Sequence, residues 1–155
     1  MAVYTFCKHK MILPIVKIKA TATKNASNIV IHTAMDVHQL MKNVYINGEE
    51  LYREQFHAIY LNRRNRVLGL HHIGIGSEVG VVCDKKIILK AALDLKANGI
   101  ILIHNHPSGN ASPSDADKTL TKNIKIAAKL LDMDILDHVI YVQDTFYSFA
   151  NEGML

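Results

Sequence analysis

The residues with the clearest chemical potential lie in one short stretch: His104-Asn105-His106-Pro107-Ser108-Gly109-Asn110-Ala111-Ser112-Pro113-Ser114-Asp115-Ala116-Asp117. Side chains two apart on an extended segment point to the same side. His104 and His106 can therefore offer two imidazole nitrogens to one transition-metal ion. Asp117 is the matching oxygen donor. It stands three residues before Leu120 and seven before Ile124, so it extends the face by which the following helix packs. An inward carboxylate is costly unless paired. The helix N-terminus offsets part of that cost, and a cation offsets far more. Three ligands with N, N and O donors leave a fourth position open, the pattern of catalytic zinc. Such a metal brings the pKa of its water towards about 7 and polarises a carbonyl. A general base must then move the proton. Glu49, Glu50, Glu54 and Glu78 are the upstream candidates. Glu54 is best placed, at the entry to a predicted strand. Ser114, one turn before Asp117 on the same face, offers a hydroxyl to a metal-bound water or to a developing oxyanion.

Each feature has a plainer reading when taken singly. A His-x-His pair is common on surfaces. Ser112 and Asp115 form a capping pattern by themselves, Asp117 complements a helix dipole, and Pro107 to Asn110 make an ordinary turn. Their coincidence within 14 residues is the stronger signal.

The elements around this stretch follow from periodicity. A strand is predicted near Ile12–Ile18, a loop over Thr21–Asn28 and a short helix near Asp36–Lys42. Gln55–Leu61 and Val67–Ile73 read as a β-hairpin across the basic break Asn62–Arg66. Gly74–Glu78 should turn, and Val79–Cys83 reads as a short strand. Asp84 caps a helix running to Asn98, with Ile88, Ala92 and Leu95 on its packed face. Asn98-Gly99 is its stop signal. Ile100–Ile103 suits a strand buried on both faces, and ligands bind beyond the C-terminal ends of such strands. A second helix starts near Ser112-Pro113, with Leu120, Ile124, Ala127 and Leu131 inward. Strands follow near Ile135–Val142 and Phe146–Ala150. The order strand, strand, helix, strand, helix, strand, strand implies an α/β fold with a mixed sheet covered by helices.

The 155 residues fit one domain, divided here into an irregular segment 1–30 and a domain over 31–155. Hydrophobic residues make up 49% and charged residues 21%, which excludes global disorder. The two cysteines, Cys7 and Cys83, form no paired motif, so a disulfide framework is not expected. No run reaches the roughly 18 apolar residues of a membrane span, and no secretory leader is read at the N-terminus. The expected location is the cytoplasm. The formal charge of +4 permits nucleic-acid binding without arguing for it.

The pattern His104-x-His106-Pro107-x-Gly109 followed by Pro113-Ser114-x-x-Asp117 resembles the JAMM metalloprotease motif of JAB/MPN domains. With Glu54-x-Phe56, Leu61-Asn62, Ile103–Gly109 and Asp137-His138-Val139-Ile140, the chain is more closely similar to the RadC-type JAB domain, over roughly Leu40 to Phe149. The resemblance implies a cytidine-deaminase-like α/β/α sandwich. It implies zinc held by His104, His106 and Asp117, with Glu54 as acid/base and Ser114 stabilising the tetrahedral intermediate. The reaction implied is hydrolysis of an amide or isopeptide bond in a peptide or protein partner. The subfamily's customary label refers to DNA repair, which no chemistry in these residues supports. Fuller relatives carry an N-terminal helix-hairpin-helix region; the first 40 residues here are short and β-like by comparison.

Rival readings are weaker. The adjacent string His104-Asn105-His106 does not match HNH nucleases, whose three residues are dispersed. A zinc deaminase needs Cys-x-x-Cys and His-x-Glu, and neither occurs. The other histidines, His9, His32, His38, His57, His71, His72 and His138, are expected in surface, core or supporting roles, and Asp137-His138 as a hydrogen-bonding pair. The main alternative is a nucleic-acid-associated protein, for which Arg63-Arg64-Asn65-Arg66 and the Lys-rich N-terminus would contact phosphates.

Overall fold

The computed structural model describes residues 29–45, 51–76 and 83–155. The expectations for Ile12–Ile18 and Thr21–Asn28, most of Val79–Cys83, and the candidate bases Glu49, Glu50 and Glu78 lie outside these described residues.

Three helices and five strands follow in the order α1 (Ala34–Val44), β1 (Gln55–Leu61), β2 (Val67–Ile75), α2 (Lys85–Asp94), β3 (Gly99–Asn105), α3 (Asp115–Lys129), β4 (Asp134–Tyr141) and β5 (Phe146–Ser148). The sheet order is β2-β1-β3-β4-β5. β1 is antiparallel to both β2 and β3, β3 is parallel to β4, and β4 is antiparallel to β5. This is the mixed sheet expected of the α/β fold.

β1 and β3 are buried at every position, because both faces of the sheet are covered. On one face Phe56, Ala58, Tyr60, Ile100 and Leu102 pack with Ile88 and Ala92 of α2 and Ile124 and Ala128 of α3. On the other, Ile59, Leu61, Ile101, Ile103, Val139 and Tyr141 pack with Val37 and Met41 of α1. A period-2 strand sorts its residues by parity, so even-numbered residues of β1 and β3 face α2 and α3.

Several helix boundaries depart from expectation for local reasons. α2 stops at Asp94, because Lys96 turns into the left-handed region at φ 53° and Ala97 N donates back to Ala92 O at 2.9 Å. Asn98 N then donates to Leu61 O at 2.8 Å, which places Gly99 inside the sheet and not at a helix stop. The N-cap of α3 is Ser114, and its box partner is Asp117; Ser112, Pro113 and Asp115 are not the capping set. The buried face of α3 is Asp117, Thr121, Ile124 and Ala128. Leu131, expected inward, lies past the helix and is 41% exposed. β2 continues through Gly74 to Ile75, where a turn was expected.

β4 carries a bulge that matters below. Ile100 pairs with Ile135 but Ile101 pairs with Asp137, leaving Leu136 as the extra residue. A bulge of this kind re-aims the side chains that follow it. Asp137 consequently shares the α1 face with Ile101, and His138 shares the α2/α3 face with Leu102. The expected Asp137-His138 hydrogen bond forms through the His138 backbone, and Asp137 has further partners. It accepts from the His138 backbone N at 2.7 Å, Ala150 N at 3.0 Å and Ser148 Oγ at 2.6 Å. Among the described residues no helix is long and apolar enough to cross a membrane.

Candidate metal centre

The site is built where β3 ends and α3 begins. His104 is the sixth residue of β3 and wholly buried. Its ring lies parallel to that of its cross-strand partner Phe56, with centroids 5.9 Å apart and planes 5° apart. His106 follows one residue beyond the strand, held in register by its backbone N donating to Tyr141 O at 3.2 Å. Asp117 occupies the third position of α3, facing the sheet. Glu54 precedes the first residue of β1.

These four residues converge. One ligand atom from each of Glu54, His104, His106 and Asp117 lies within 4.8 Å of the others, and the group could hold a metal ion. The two Nε2 atoms are 2.9 Å apart. Asp117 Oδ1 is 3.2 Å from His104 Nε2, and Asp117 Oδ2 is 3.8 Å from His106 Nε2.

The protonation pattern can be read from the outer hydrogen bonds, since a carbonyl only accepts. His106 Nδ1 lies 2.6 Å from Asn110 O, so Nδ1 carries a proton there and donates it. A neutral ring with that tautomer has its lone pair on Nε2, turned towards His104. Asp117 is an acceptor as well. Burial pushes its carboxyl up, but the His104 ring and the hydrogen bonds from Ser114 outweigh this and hold it well below the usual carboxylate range. His106 Nε2 and Asp117 thus stand as acceptors on either side of His104 Nε2, and a proton or a metal cation is needed between them. The donor set of two imidazoles and one or two carboxylates is the type that binds a borderline divalent metal.

Ser114 serves Asp117 directly. Its Oγ donates to Asp117 Oδ2 at 2.6 Å and accepts from Asp117 N at 3.1 Å, while Ser114 N donates to the same Oδ2 at 2.8 Å. This capping box leaves Asp117 Oδ1 turned to the cluster. One carboxylate therefore both starts the helix and joins the site.

Three residues with no chemical role in the sequence reading also build the site. Asn105 points to the α1 face, where its Oδ1 accepts from Gln55 N at 2.7 Å and its Nδ2 donates to Arg53 O at 2.9 Å. It brackets Glu54 from both sides along the chain. His138, expected in a supporting role with Asp137 as its partner, has its side-chain Nε2 2.9 Å from His104 Nδ1 and its Nδ1 2.6 Å from Thr121 Oγ1. Burial first, and then the neighbouring His104, push its pKa well below the ordinary value. Thr121 had a legible signal, standing four residues after Asp117 on the same helix face. Other described histidines have partners of their own: His57 packs on His72 with centroids 4.8 Å apart, Tyr60 OH meets His71 Nδ1 at 3.2 Å, and His38 Nε2 donates to Val142 O at 3.0 Å. Beside His106, a groove of about 220 Å³ is lined by Leu51, Pro107, Gly109, Tyr141 and Asp144 among others.

A family model described as a RadC-like JAB domain matches residues 21–154. A UPF0758 protein of Flavobacterium johnsoniae is 43% identical over 105 residues, covering 68% of this chain and 46% of that protein. A UPF0758 protein of Aquifex aeolicus is 43% identical over 103 residues, covering 66% and 45%. The UPF0758 protein YfjY of Escherichia coli is 39% identical over 105 residues, covering 68% and 66%. The chain spans about half the length of the Flavobacterium and Aquifex relatives.

Proposed function

The chain belongs to the RadC-like JAB domain family, and from that premise we propose that residues 31–155 form a zinc-dependent hydrolase acting on an amide bond, as a metallopeptidase or isopeptidase. The observation that carries this reading is the convergence of His104 Nε2, His106 Nε2 and an Asp117 oxygen, with a Glu54 oxygen within 4.8 Å of them all. His104, His106 and Asp117 are the ligands, and Glu54 is the acid/base residue.

When bound, zinc supplies an acidified water and a polarised carbonyl. The remaining work falls to the chain. Glu54 accepts a proton from the nucleophilic water on a carboxylate oxygen and returns it to the leaving amine. Its position at the lip of β1 keeps it 4.8 Å or less from the ligand atoms. Ser114 is exposed at the start of α3, and its hydroxyl, turned from Asp117 to the substrate, stabilises the oxyanion. The phenyl ring of Phe56 against His104 removes water from that side of the cluster. The groove beside His106 takes the flanking part of the peptide or isopeptide-linked protein.

The nucleic-acid reading has less behind it. The turn containing Arg63 and Arg64 joins the far ends of β1 and β2, a seven-residue strand away from Glu54, or about 20 Å at 3.3 Å per residue. Asn62 Oδ1 accepts from Arg64 N at 2.8 Å and Arg66 N at 3.2 Å, and Ile31 N donates to Asn65 O at 3.0 Å, so the turn is held by the protein's own hydrogen bonds.

Metal analysis of the purified chain, beside its His104→Ala variant, is the direct test. One zinc per chain in the parent and none in the variant is expected. Glu54→Gln should retain the metal and lose cleavage across a panel of peptides and isopeptide-linked proteins. A parent chain that takes up no divalent metal overturns the reading.

A further inference from the structure

We propose that His138 and Thr121 are positioning residues that lock the tautomer of His104, so that its Nε2 lone pair faces the metal cluster. The proposal rests on the metal-dependent reading above, but its geometry starts at a different atom, the backbone oxygen of Asp117.

That oxygen can only accept. Thr121 Oγ1 donates to it at 2.6 Å, and this uses the single proton of the hydroxyl. Towards His138 Nδ1, also at 2.6 Å, Thr121 must therefore accept, so His138 carries its proton on Nδ1. The His138 ring is wholly buried, with Phe149 at 4.8 Å and Phe56 at 5.7 Å between ring centroids. Both of its nitrogens are already engaged, and among the described residues no carboxylate oxygen is paired with it, so a second proton has no support there. Its Nε2 is left with a lone pair. His104 Nδ1, 2.9 Å away, must supply the proton between them. The lone pair of His104 then lies on Nε2, 3.2 Å from Asp117 Oδ1.

Every donor and acceptor on this path has one consistent direction, from His104 through His138 and Thr121 to Asp117. The path begins at one proposed ligand and ends on the backbone of another. It braces the first turns of α3 against β3 and β4 while presenting the correct nitrogen of His104. A histidine ligand commonly depends on such a partner at its second nitrogen for orientation and basicity.

The test uses the full chain and titration with zinc against a competing chelator. Thr121→Ser keeps the hydroxyl, and its zinc Kd should stay within about threefold of the parent. Thr121→Val keeps the shape but removes donor and acceptor, and should weaken zinc about 10- to 100-fold. His138→Leu should weaken it to a similar extent. His138→Gln, whose side-chain oxygen can reach the place of Nε2, should recover part of the loss. Long-range proton–nitrogen NMR of the zinc-loaded parent should find His138 protonated on Nδ1 alone. If His138→Leu fails to fold, the Thr121 pair and the NMR assignment decide. A zinc Kd for Thr121→Val within threefold of the parent, or a proton on His138 Nε2, overturns the proposal while leaving the metal site standing. A parent chain that binds no zinc overturns the functional reading, and this assignment with it.

Discussion

The side-chain oxygen of Asn105 stands 2.7 Å from the backbone nitrogen of Gln55, while the other end of the same amide donates to Arg53 O at 2.9 Å. The residue between the two proposed histidine ligands thereby fixes the chain on both sides of Glu54. Asn105→Asp keeps the acceptor for Gln55 but sets a carboxylate oxygen against the Arg53 carbonyl. Asn105→Ala removes both bonds. Either change should displace Glu54 and lower turnover roughly 100-fold, the usual cost of misplacing a reacting group by about 1 Å. Zinc affinity should stay within about threefold. Parallel measurement of kcat and zinc Kd checks this. Unchanged turnover would separate Glu54 from its bracket, and equal loss of zinc would make Asn105 a support for the ligands instead.

A second expectation concerns stability. His104 Nε2, His106 Nε2 and Asp117 Oδ1 crowd together as acceptors, and a cation that binds only the folded chain relieves them. At free zinc about 100 times its Kd, the folded state should gain about 2.7 kcal/mol. For a chain of this size that corresponds to roughly 5–10 °C in Tm. Calorimetry with zinc and with excess chelator measures the increment. His104→Ala should melt at one temperature under both conditions.

The pH dependence of folding has a definite sign. His57 is 3% exposed, and burial, followed by the neighbouring His72 and His71, pushes its pKa down to about 4. Between about 4 and the ordinary 6.5 the unfolded chain binds a proton at His57 that the folded chain does not. Stability is then complete above about pH 6.5 and falls as pH drops towards 4, by at most about 3 kcal/mol from this group. His138, lowered for the same first reason, adds in the same direction. Urea midpoints at pH 7, 6, 5 and 4 should fall steadily for the parent. In His57→Gln, which retains a polar partner for Tyr45 OH, the decline should be shallower. Parallel curves for the two proteins would assign the acid limb to other groups.

What the sequence makes legible here is set by spacing. The His104-His106 pair, the inward Asp117 and the strand Gln55–Leu61 all depend on contacts within one element, where parity or helical period decides the face. Glu54 is separated from the histidines by 50 residues and could be favoured only by its place at a strand entry. Asn105, Thr121 and His138 act across elements, and a polar residue in an apolar run announces burial without naming its partner. The α3 cap was misplaced by two residues for a related reason. Both Ser112 and Ser114 have an aspartate three residues later, and only the inward need of Asp117 selects the second.

His138 departs from strand parity through an inserted residue that periodicity does not reveal. Leu136 is the extra residue of β4 opposite the Ile100–Ile101 step, and the close pass of Gly99 makes room for it: a Cβ at Gly99 would lie 2.5 Å from Leu136 Cδ1. By parity alone Ile135 and His138 would lie on opposite faces, and the bulge puts both on the α2/α3 face. Deleting Leu136 leaves Ile135, Asp137 and His138 opposite Ile100, Ile101 and Leu102 in an unbroken ladder, so His138 should stay on the face of His104. Zinc binding and a cooperative melt should both be retained. Leu136→Ala keeps the residue count, and because this side chain is 38% exposed it should retain both properties. Gly99→Ala should lower Tm, and Leu136→Ala should restore part of that loss by clearing the space for the new Cβ. Thermal melts and zinc titrations of these four variants, including the Gly99→Ala/Leu136→Ala pair, measure the coupling. A Leu136-deleted chain that folds cooperatively but no longer binds zinc would mean that the bulge, and not the pairing of His138 with Leu102, sets the face on which His138 lies.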